Sequence, residues 1–170
     1  MKKVFLLVLL AFCFCAFHAN EACAKKVGAW VIRKHIDEMD DSLTITATTT
    51  SKSVCRFHGI DYYPKLAFAV NDKDGFSICI IYDLPLMGVQ EDIDITYRAD
   101  KDVAQNSSGW DSKHKQVTTA NPEKFARDLY GHKKLLVRVS NLLGDIHTIK
   151  FDITGAKDAL KDIAKAAGWK

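Results

Sequence analysis

The chain has 170 residues, of which 48% are hydrophobic, and its 24 Lys and Arg against 21 Asp and Glu leave a formal charge of +3 at pH 7. This length is enough for one domain with a substantial hydrophobic core. Charges of opposite sign are interspersed along the sequence without a basic stripe, so we do not expect a nucleic acid as the partner.

The first 24 residues have the pattern of a secretory signal peptide. Two lysines precede the apolar run 4–17, and a group of small residues ends at Ala24, where a signal peptidase would cut. The run is short for a membrane span and no later apolar run approaches bilayer length, so we expect no transmembrane segment after cleavage. The sequence therefore predicts residues 1–24 as a cleaved signal and residues 25–170 as one exported β-rich domain, periplasmic or secreted.

Short stretches rich in β-branched or alternating apolar residues predict seven or eight strands. Trp30 is the largest apolar residue of the first stretch, and strict alternation places Leu43, Ile45 and Ala47 on one face of the second. Because most of these stretches follow one another with a turn between them, we expect antiparallel pairing. The clearest stretches are 27–36, 43–50, 65–70, 76–82, 92–98, 135–139 and 146–151.

Two intervals give a weaker signal. Residues 51–63 have no clear periodicity before Pro64. Residues 99–119 are polar, with a flexible tip at 105–109 and with Trp110 alone among charged residues. Neither interval predicts a strand by itself.

A short helix is predicted near 121–131. Asn121 is placed to cap it, Pro122 lies in its first turn, and Gly131 follows its last turn. Phe125 would lie on its buried side.

A second helix is predicted near 155–167, at the C-terminal end of the domain. Thr154 is the expected N-cap, the apolar residues follow at helical spacing, and Gly168 lies where helices commonly end. The fold class is therefore mostly β (α+β): an antiparallel β-sandwich-like domain with one short helix and a C-terminal helix that docks on the sheet. The side chains expected to build its core are Trp30, Phe151, Leu160, Ile163 and Trp169.

Cys55 and Cys79 are the two cysteines that remain after removal of the signal peptide. In an oxidising compartment the expected arrangement is a disulfide between them. The alternative is that Cys79, within the apolar segment 78–81, is a small buried residue.

The residues give no pattern that predicts catalysis, a cofactor or a metal. Cys55 and His58 have a spacing seen in some metal-ligand pairs, but a structural site takes four ligands and the mature sequence has no second close pair. Gly-x-Ser-x-Gly is absent. The acidic run 37–41 lacks the spacing of a calcium loop, so a solvated turn is the better interpretation.

Arg98, Asp100 and Trp110 are the candidate binding residues. Arg98 could hold Asp100 or an acid of a partner, because a guanidinium binds a carboxylate through two hydrogen bonds. Trp110 could be an interface anchor, or it could close one end of the sandwich. A purely structural role for all three residues stays open.

Several motifs follow one another in chain order: Asp40-Asp41-Ser42 after the Trp30 strand, Tyr97-Arg98-Ala99-Asp100, Trp110-x-Ser112, Phe151-x-x-x-Gly155, Ala159-Leu160 and Gly168-Trp169. In this order they resemble one protein family, the VasI/TagO-like proteins associated with type VI secretion, of which the chain looks like a divergent member. The resemblance implies an exported accessory protein of the bacterial envelope that acts through protein contacts and has no established catalytic residues. It also implies a cysteine in the central strand and another before the final Gly-Trp, where this chain has Ala69 or Val70 and Ala167.

We therefore expect a non-catalytic periplasmic or envelope accessory protein, with a role beside type VI secretion and another protein as its partner. This expectation includes an exposed apolar or aromatic patch near Trp110 and residues 85–91. Two alternatives stay open: a secreted inhibitor or effector-like binding protein, and an envelope hydrolase with dispersed carboxylates. The hydrolase would need two buried acids with raised pKa values in one cleft.

Overall fold

The protein is represented by a computed structural model. The structure describes residues 24–57, 59–73, 75–84, 89–113, 115–119, 121–140 and 146–170. Within these ranges it is mostly β, with antiparallel sheets and few short helices, which confirms the predicted fold class. The strands are β1 (Lys25–Val27), β2 (Trp30–Ile36), β3 (Leu43–Thr50), β4 (Cys55–Phe57), β5 (Ile60–Tyr62), β6 (Lys65–Asn71), β7 (Ser77–Tyr82), β8 (Val89–Ala99), β9 (Gln105–Lys113), β10 (Gln116–Thr119), β11 (Lys134–Ser140) and β12 (Ile146–Asp152). The helices are α1 (Pro122–Leu129), α2 (Ala156–Ala159) and α3 (Lys161–Ala166).

One large antiparallel sheet contains ten of these strands. Its order is β1-β2-β3-β6-β7-β10-β9-β8-β11-β12, and β4 pairs with β5 as a separate hairpin. The meander β8-β9-β10 fills the space between β7 and β11, so neighbours in the sheet are often distant in the sequence.

The sheet curls until β12 meets the chain that follows β3. Ser51 bridges Phe151, the amide of Lys52 donates to the carbonyl of Lys150 at 2.8 Å, and Thr49 Oγ1 donates to the carbonyl of Asp152 at 2.9 Å. We call this contact between residues 49–53 and 150–152 the seam. The seam gives backbone and hydroxyl partners to a strand that would otherwise be a free edge.

Alternate residues of the long strands point to one shared core. In β11, for example, Leu135, Val137 and Val139 are buried while the residues between them are more exposed. Trp30 is fully buried, and its Nε1 donates to the carbonyl of Ile153 at 3.3 Å. Each large side chain buried in this way contributes roughly 1.5–3 kcal/mol to stability.

Helix α1 lies on the inner face of the sheet. Asn121 caps it, accepting at 3.0 Å from the amide of Lys124. The ring of Phe125 contacts aromatic rings of three strands: Phe68 at 6.2 Å, Tyr97 at 5.0 Å and Trp110 at 5.3 Å between centroids. The predicted short helix therefore exists, and its buried aromatic residue joins β6, β8 and β9.

The C-terminal docking helix also exists, but it is divided into α2 and α3 at Leu160. The expected cap is wrong: Gly155, at φ +83°, is the N-cap, and Thr154 makes no capping hydrogen bond. The helical segment ends as predicted, with Gly168 at φ +66° and the amide of Trp169 donating to the carbonyl of Ala164 at 2.9 Å.

The core residues expected from this helix and its sheet are placed as follows. Trp30, Leu160 and Ile163 have no exposed surface, and Phe151 is 2% exposed. Trp169 is half-buried, with its ring 6.4 Å from that of Phe68. α2 contacts β2, and α3 contacts β3 and β6.

Strands β9 and β10 occupy the polar interval 99–119, for which the sequence predicted no strand and a flexible tip at 105–109. Among the described side chains of these two strands, Trp110, Val117 and Thr119 are the buried ones, so the alternation of apolar residues is too sparse to predict a strand. Pairing with β8 and β7 makes these segments strands, because strand formation depends on neighbours more than on intrinsic preference.

Candidate functional site

Trp110 is a core residue and not an exposed anchor. It is fully buried in β9, and its Nε1 donates to Ser107 Oγ at 3.0 Å. The aromatic patch expected around it is therefore wrong at this residue. The expected patch also included residues 85–91. Residues 85–88 and the side chains of residues 89–91 lie outside the described residues.

Asp100 holds a turn. Its carboxylate accepts from the amides of Lys133 and Lys134, the latter at 2.9 Å, and lies 3.2 Å from His132 Nδ1. Burial alone would raise the pKa of Asp100, but the two amides and His132 outweigh it and lower that pKa. Asp100 also has φ +45°, which aspartate tolerates better than most residues. Its role is structural, and its carboxylate is already occupied.

Arg98 points away from the core, and the structure does not pair it with Asp100. Alternation along β8 turns Tyr97 and Ala99 inward and leaves Arg98 exposed. Within the described residues, the guanidinium of Arg98 makes no ion pair. Its neighbour across β11 is Leu136, and the next residue in the same row, on β12, is Lys150.

The outer face of β8, β11 and β12 is basic. We call it the cationic face and define it by five of its outward residues, Arg98, Lys134, Leu136, Arg138 and Lys150; Thr96, Thr148 and Asp152 lie in the same rows. A cavity of about 540 Å³ opens on this face, and a smaller one of about 200 Å³ continues it to Arg138. The larger cavity falls in the size range of ligand sites. Its basic lining residues are Lys52, Arg98, Lys133, Lys134 and Lys150.

Both carboxylates that line the larger cavity already have partners. Asp100 is occupied as described above. Lys52 Nζ lies 2.6 Å from Asp152 Oδ2, and this hydrogen bond, followed by those from Thr154, lowers the pKa of Asp152 to about 2. Within the described residues, the side chains of Arg98 and Lys150 have no acidic partner, and the same holds for Lys133 and Lys134. The cavity therefore presents uncompensated positive charge around an aliphatic side chain.

The structure does not show the expected disulfide between the two cysteines. Cys55 and Cys79 are both buried free thiols, the first in the β4–β5 hairpin and the second in the central strand β7. Desolvation raises the pKa of both thiols, most strongly for Cys79. Thiols of this kind act as small core residues and are poor nucleophiles.

The described carboxyl groups whose pKa is clearly shifted all shift downward. Hydrogen bonds from Ser42 and then Lys73 lower the pKa of Asp40 to about 2, and Lys34 lowers that of Asp162. The described residues contain no group of three His, Cys, Asp or Glu that could hold a metal. Among the same residues, no helix has the length and apolarity needed to cross a membrane.

Most residues of the cationic face were not among the sequence-predicted binding residues. A signal was present: alternation in 135–139 and 146–151 puts Leu136 and Arg138 opposite the buried face of β11, and Lys150 opposite that of β12. What the sequence could not supply was the neighbour relation of β8, β11 and β12. Comparison of the chain with family models, curated proteins and solved structures finds no match.

Proposed function

We propose that this protein is a non-catalytic, exported binding protein that contacts an acidic region of another protein through the cationic face. The observation that carries the proposal is the cavity in which Arg98, Lys134 and Lys150 surround Leu136 without acidic partners among the described residues. An uncompensated cluster of this kind has no evident use within the fold.

The chemistry of the cationic face suits an acidic protein surface. Arg98 has its guanidinium exposed, and such a group can bind a carboxylate through two parallel hydrogen bonds. Leu136 lies between Arg98 and Lys150 and offers an apolar contact at the centre. Clustered positive charge also accelerates encounter with an acidic partner and disfavours basic ones.

Binding accounts for the titratable groups better than hydrolysis does. A hydrolase that uses paired carboxylates needs one with a raised pKa to donate a proton. Asp40, Asp152 and the other shifted carboxyls have lowered pKa values and are held by hydrogen bonds or cations. These groups are suited to holding structure together.

An envelope location and an association with type VI secretion are part of the proposal. The location is supported by the signal-like pattern of residues 1–24, and the association by the family resemblance. Fractionation of cells that express the full chain tests the location, because a periplasmic accessory protein stays in the periplasmic fraction whereas a secreted inhibitor accumulates in the medium.

A charge reversal on the cationic face tests the function. Arg98→Glu with Lys150→Glu changes the charge by about −4, and Lys157→Glu with Lys161→Glu makes the same change on the exposed side of α2 and α3. Fluorescence anisotropy with labelled poly-glutamate measures affinity. We expect the first pair to weaken binding about tenfold or more, equal to about 1.4 kcal/mol, and the second pair to change it little at physiological salt, where distant charges are screened. Equal loss in both pairs would mean that only net charge matters, and the proposal would fail.

A further inference from the structure

The cavity on the cationic face continues into a second one across the seam. This second cavity, of about 500 Å³, shares Lys52, Asp152 and Thr154 with the first and extends to Lys26 and Thr48. Lys52 and Asp152 form their ion pair at the junction. The two cavities therefore form one groove, which we call the seam groove.

The fold builds the floor of the seam groove by a close backbone approach. Ala29, in the turn between β1 and β2, donates its amide to the carbonyl of Thr154 at 3.0 Å. Gly28 has φ +58°, and a Cβ at this position would lie 2.1 Å from the carbonyl oxygen of Thr154. Only glycine fits here without displacing the backbone. This contact brings the edge hairpin β1–β2 beside the end of β12.

The two halves of the seam groove offer different chemistry. The first half has Arg98, Lys134 and Lys150 around Leu136. Beyond the residues that both cavities share, the second half has one cation, Lys26, hydroxyl groups of β3, backbone groups of the turn before β2 and the aliphatic side chain of Val31. Hydroxyl groups both donate and accept, so they can pair with the amides of a peptide backbone.

We infer that the seam groove binds an extended acidic segment of polypeptide, which runs from Arg98 and Lys150, over Lys52, to Thr48 and Lys26. This inference rests on the proposed function and adds the length and conformation of the ligand. Carboxylates of the segment meet the cations of the first half, and its backbone meets the hydroxyl groups of the second half.

The lining favours a peptide over other polyanions. Proteins that hold single-stranded nucleic acid stack its bases on exposed aromatic side chains. Among the described lining residues of the seam groove, the aromatic side chain is that of Phe151, which is 2% exposed. A single phosphate would fill only a small part of two cavities of this size, and a flat bilayer does not enter a groove.

Two labelled peptides of alternating Glu and Ser test the inference, one of about four residues and one of about ten, the longer about 33 Å when extended. We expect the long peptide to bind about tenfold or more tightly than the short one, equal to about 1.4 kcal/mol. Lys26→Glu with Thr48→Glu should reduce the affinity of the long peptide to that of the short one and leave the short one unchanged. Thr48→Lys should raise the affinity for the long peptide alone. Misfolding of the variant could not produce such a gain.

The outcomes separate this inference from the proposed function. If both peptides bind equally, or if the Thr48 variants affect both alike, the ligand does not cross the seam and the inference is wrong, while the cationic face remains a binding site. Tighter binding of oligo-dT or of anionic vesicles than of the long peptide, lost in the same variants, would also overturn it. If neither peptide binds at low salt, the proposed function fails as well.

Discussion

Two outer faces of the same sheet differ in a way that separates stability from binding. The cationic face carries Arg98, Lys134, Arg138 and Lys150. The centre of the outer face of β3, β6 and β7 carries no charge, and we call it the neutral face. Its residues are Thr46, Ala67, Ala69, Ile78 and Ile80.

The strands of both faces bury their inward residues in the same core. This burial therefore does not explain why one outer face is charged and the other is not. On the neutral face, β-branched residues stand across from one another or from alanine, as in the row Thr46, Ala69 and Ile78. Such cross-strand pairs stabilise a sheet by roughly 0.2–1 kcal/mol each. Positive charges grouped on the cationic face repel one another and stabilise nothing among the described residues. The comparison indicates that one face serves the fold and the other serves a partner.

A substitution that opens a cavity in the shared core should destabilise the whole sheet, and this is the largest effect we expect. Leu160 is fully buried between α2 and α3. Leu160→Ala should lower the free energy of unfolding by about 2–5 kcal/mol, because the cavity left behind cannot fully collapse. Urea denaturation measures this loss. An unchanged midpoint would show that the C-terminal helices do not hold the sheet.

Damage to the contact between Gly28 and Thr154 should affect the second half of the seam groove selectively. Gly28→Ala combines a strained positive φ with a clash against Thr154 and should lower the free energy of unfolding by about 1–3 kcal/mol. It should also lower the affinity for the long acidic peptide more than the affinity for the short one. Gly131→Ala is the matched control, because Gly131 has φ +84° but no atom within 4 Å of an added Cβ.

Neutral substitutions test the division of roles directly. Arg98→Gln with Lys150→Gln should weaken acidic peptides about tenfold, equal to about 1.4 kcal/mol, and leave the free energy of unfolding unchanged or higher by up to about 0.5 kcal/mol. Ile80→Thr on the neutral face should do the reverse, lowering stability by about 0.5–1 kcal/mol without changing affinity. Paired anisotropy and urea measurements would contradict the comparison if either variant changed both quantities.

Acid should weaken the seam, with the smallest of these effects. The pKa of Asp152 is lowered from 3.8 to about 2 by Lys52 and Thr154, so its contribution to stability is present above about pH 4 and is lost as the pH falls through about 2. Because the pair is partly exposed, we expect less than about 1 kcal/mol. The loss of unfolding free energy between pH 4 and pH 2 should be smaller in Asp152→Asn than in the parent. Equal losses would show that this ion pair does not stabilise the seam.

Much of the fold could be predicted because it is encoded locally. Alternation in β3 and β11 correctly separates buried from exposed residues, and Asn121 and Gly168 mark helix ends through hydrogen bonds made within a few residues. The prediction of Thr154 as the N-cap failed. The close approach of Gly28 to the carbonyl of Thr154 and the left-handed conformation of Gly155 set the start of α2 instead. It also failed for β9, whose polar sequence becomes a strand only through its neighbours.

The candidate site was less predictable than the fold. Arg98 was identified from its chemistry, but its expected partner Asp100 belongs to a turn with Lys133 and Lys134. For Trp110 the polar sequence neighbours leave both an interface anchor and a residue that closes the sandwich end open, and the structure decides for burial, with Phe125 of α1 packed on it.

The sequence by itself determined which side of each regular strand faces the core, where the helices end, and which side chains carry charge, because these properties depend on residues within one turn or one strand. Only the tertiary structure decided that β8, β11 and β12 lie side by side and that β12 closes against residues 49–53. The same is true of the two cysteines, which remain apart in different sheets. Strand pairing joins segments of any separation in sequence, so a groove that unites Lys26, Arg98 and Lys150 exists only once the sheet has curled.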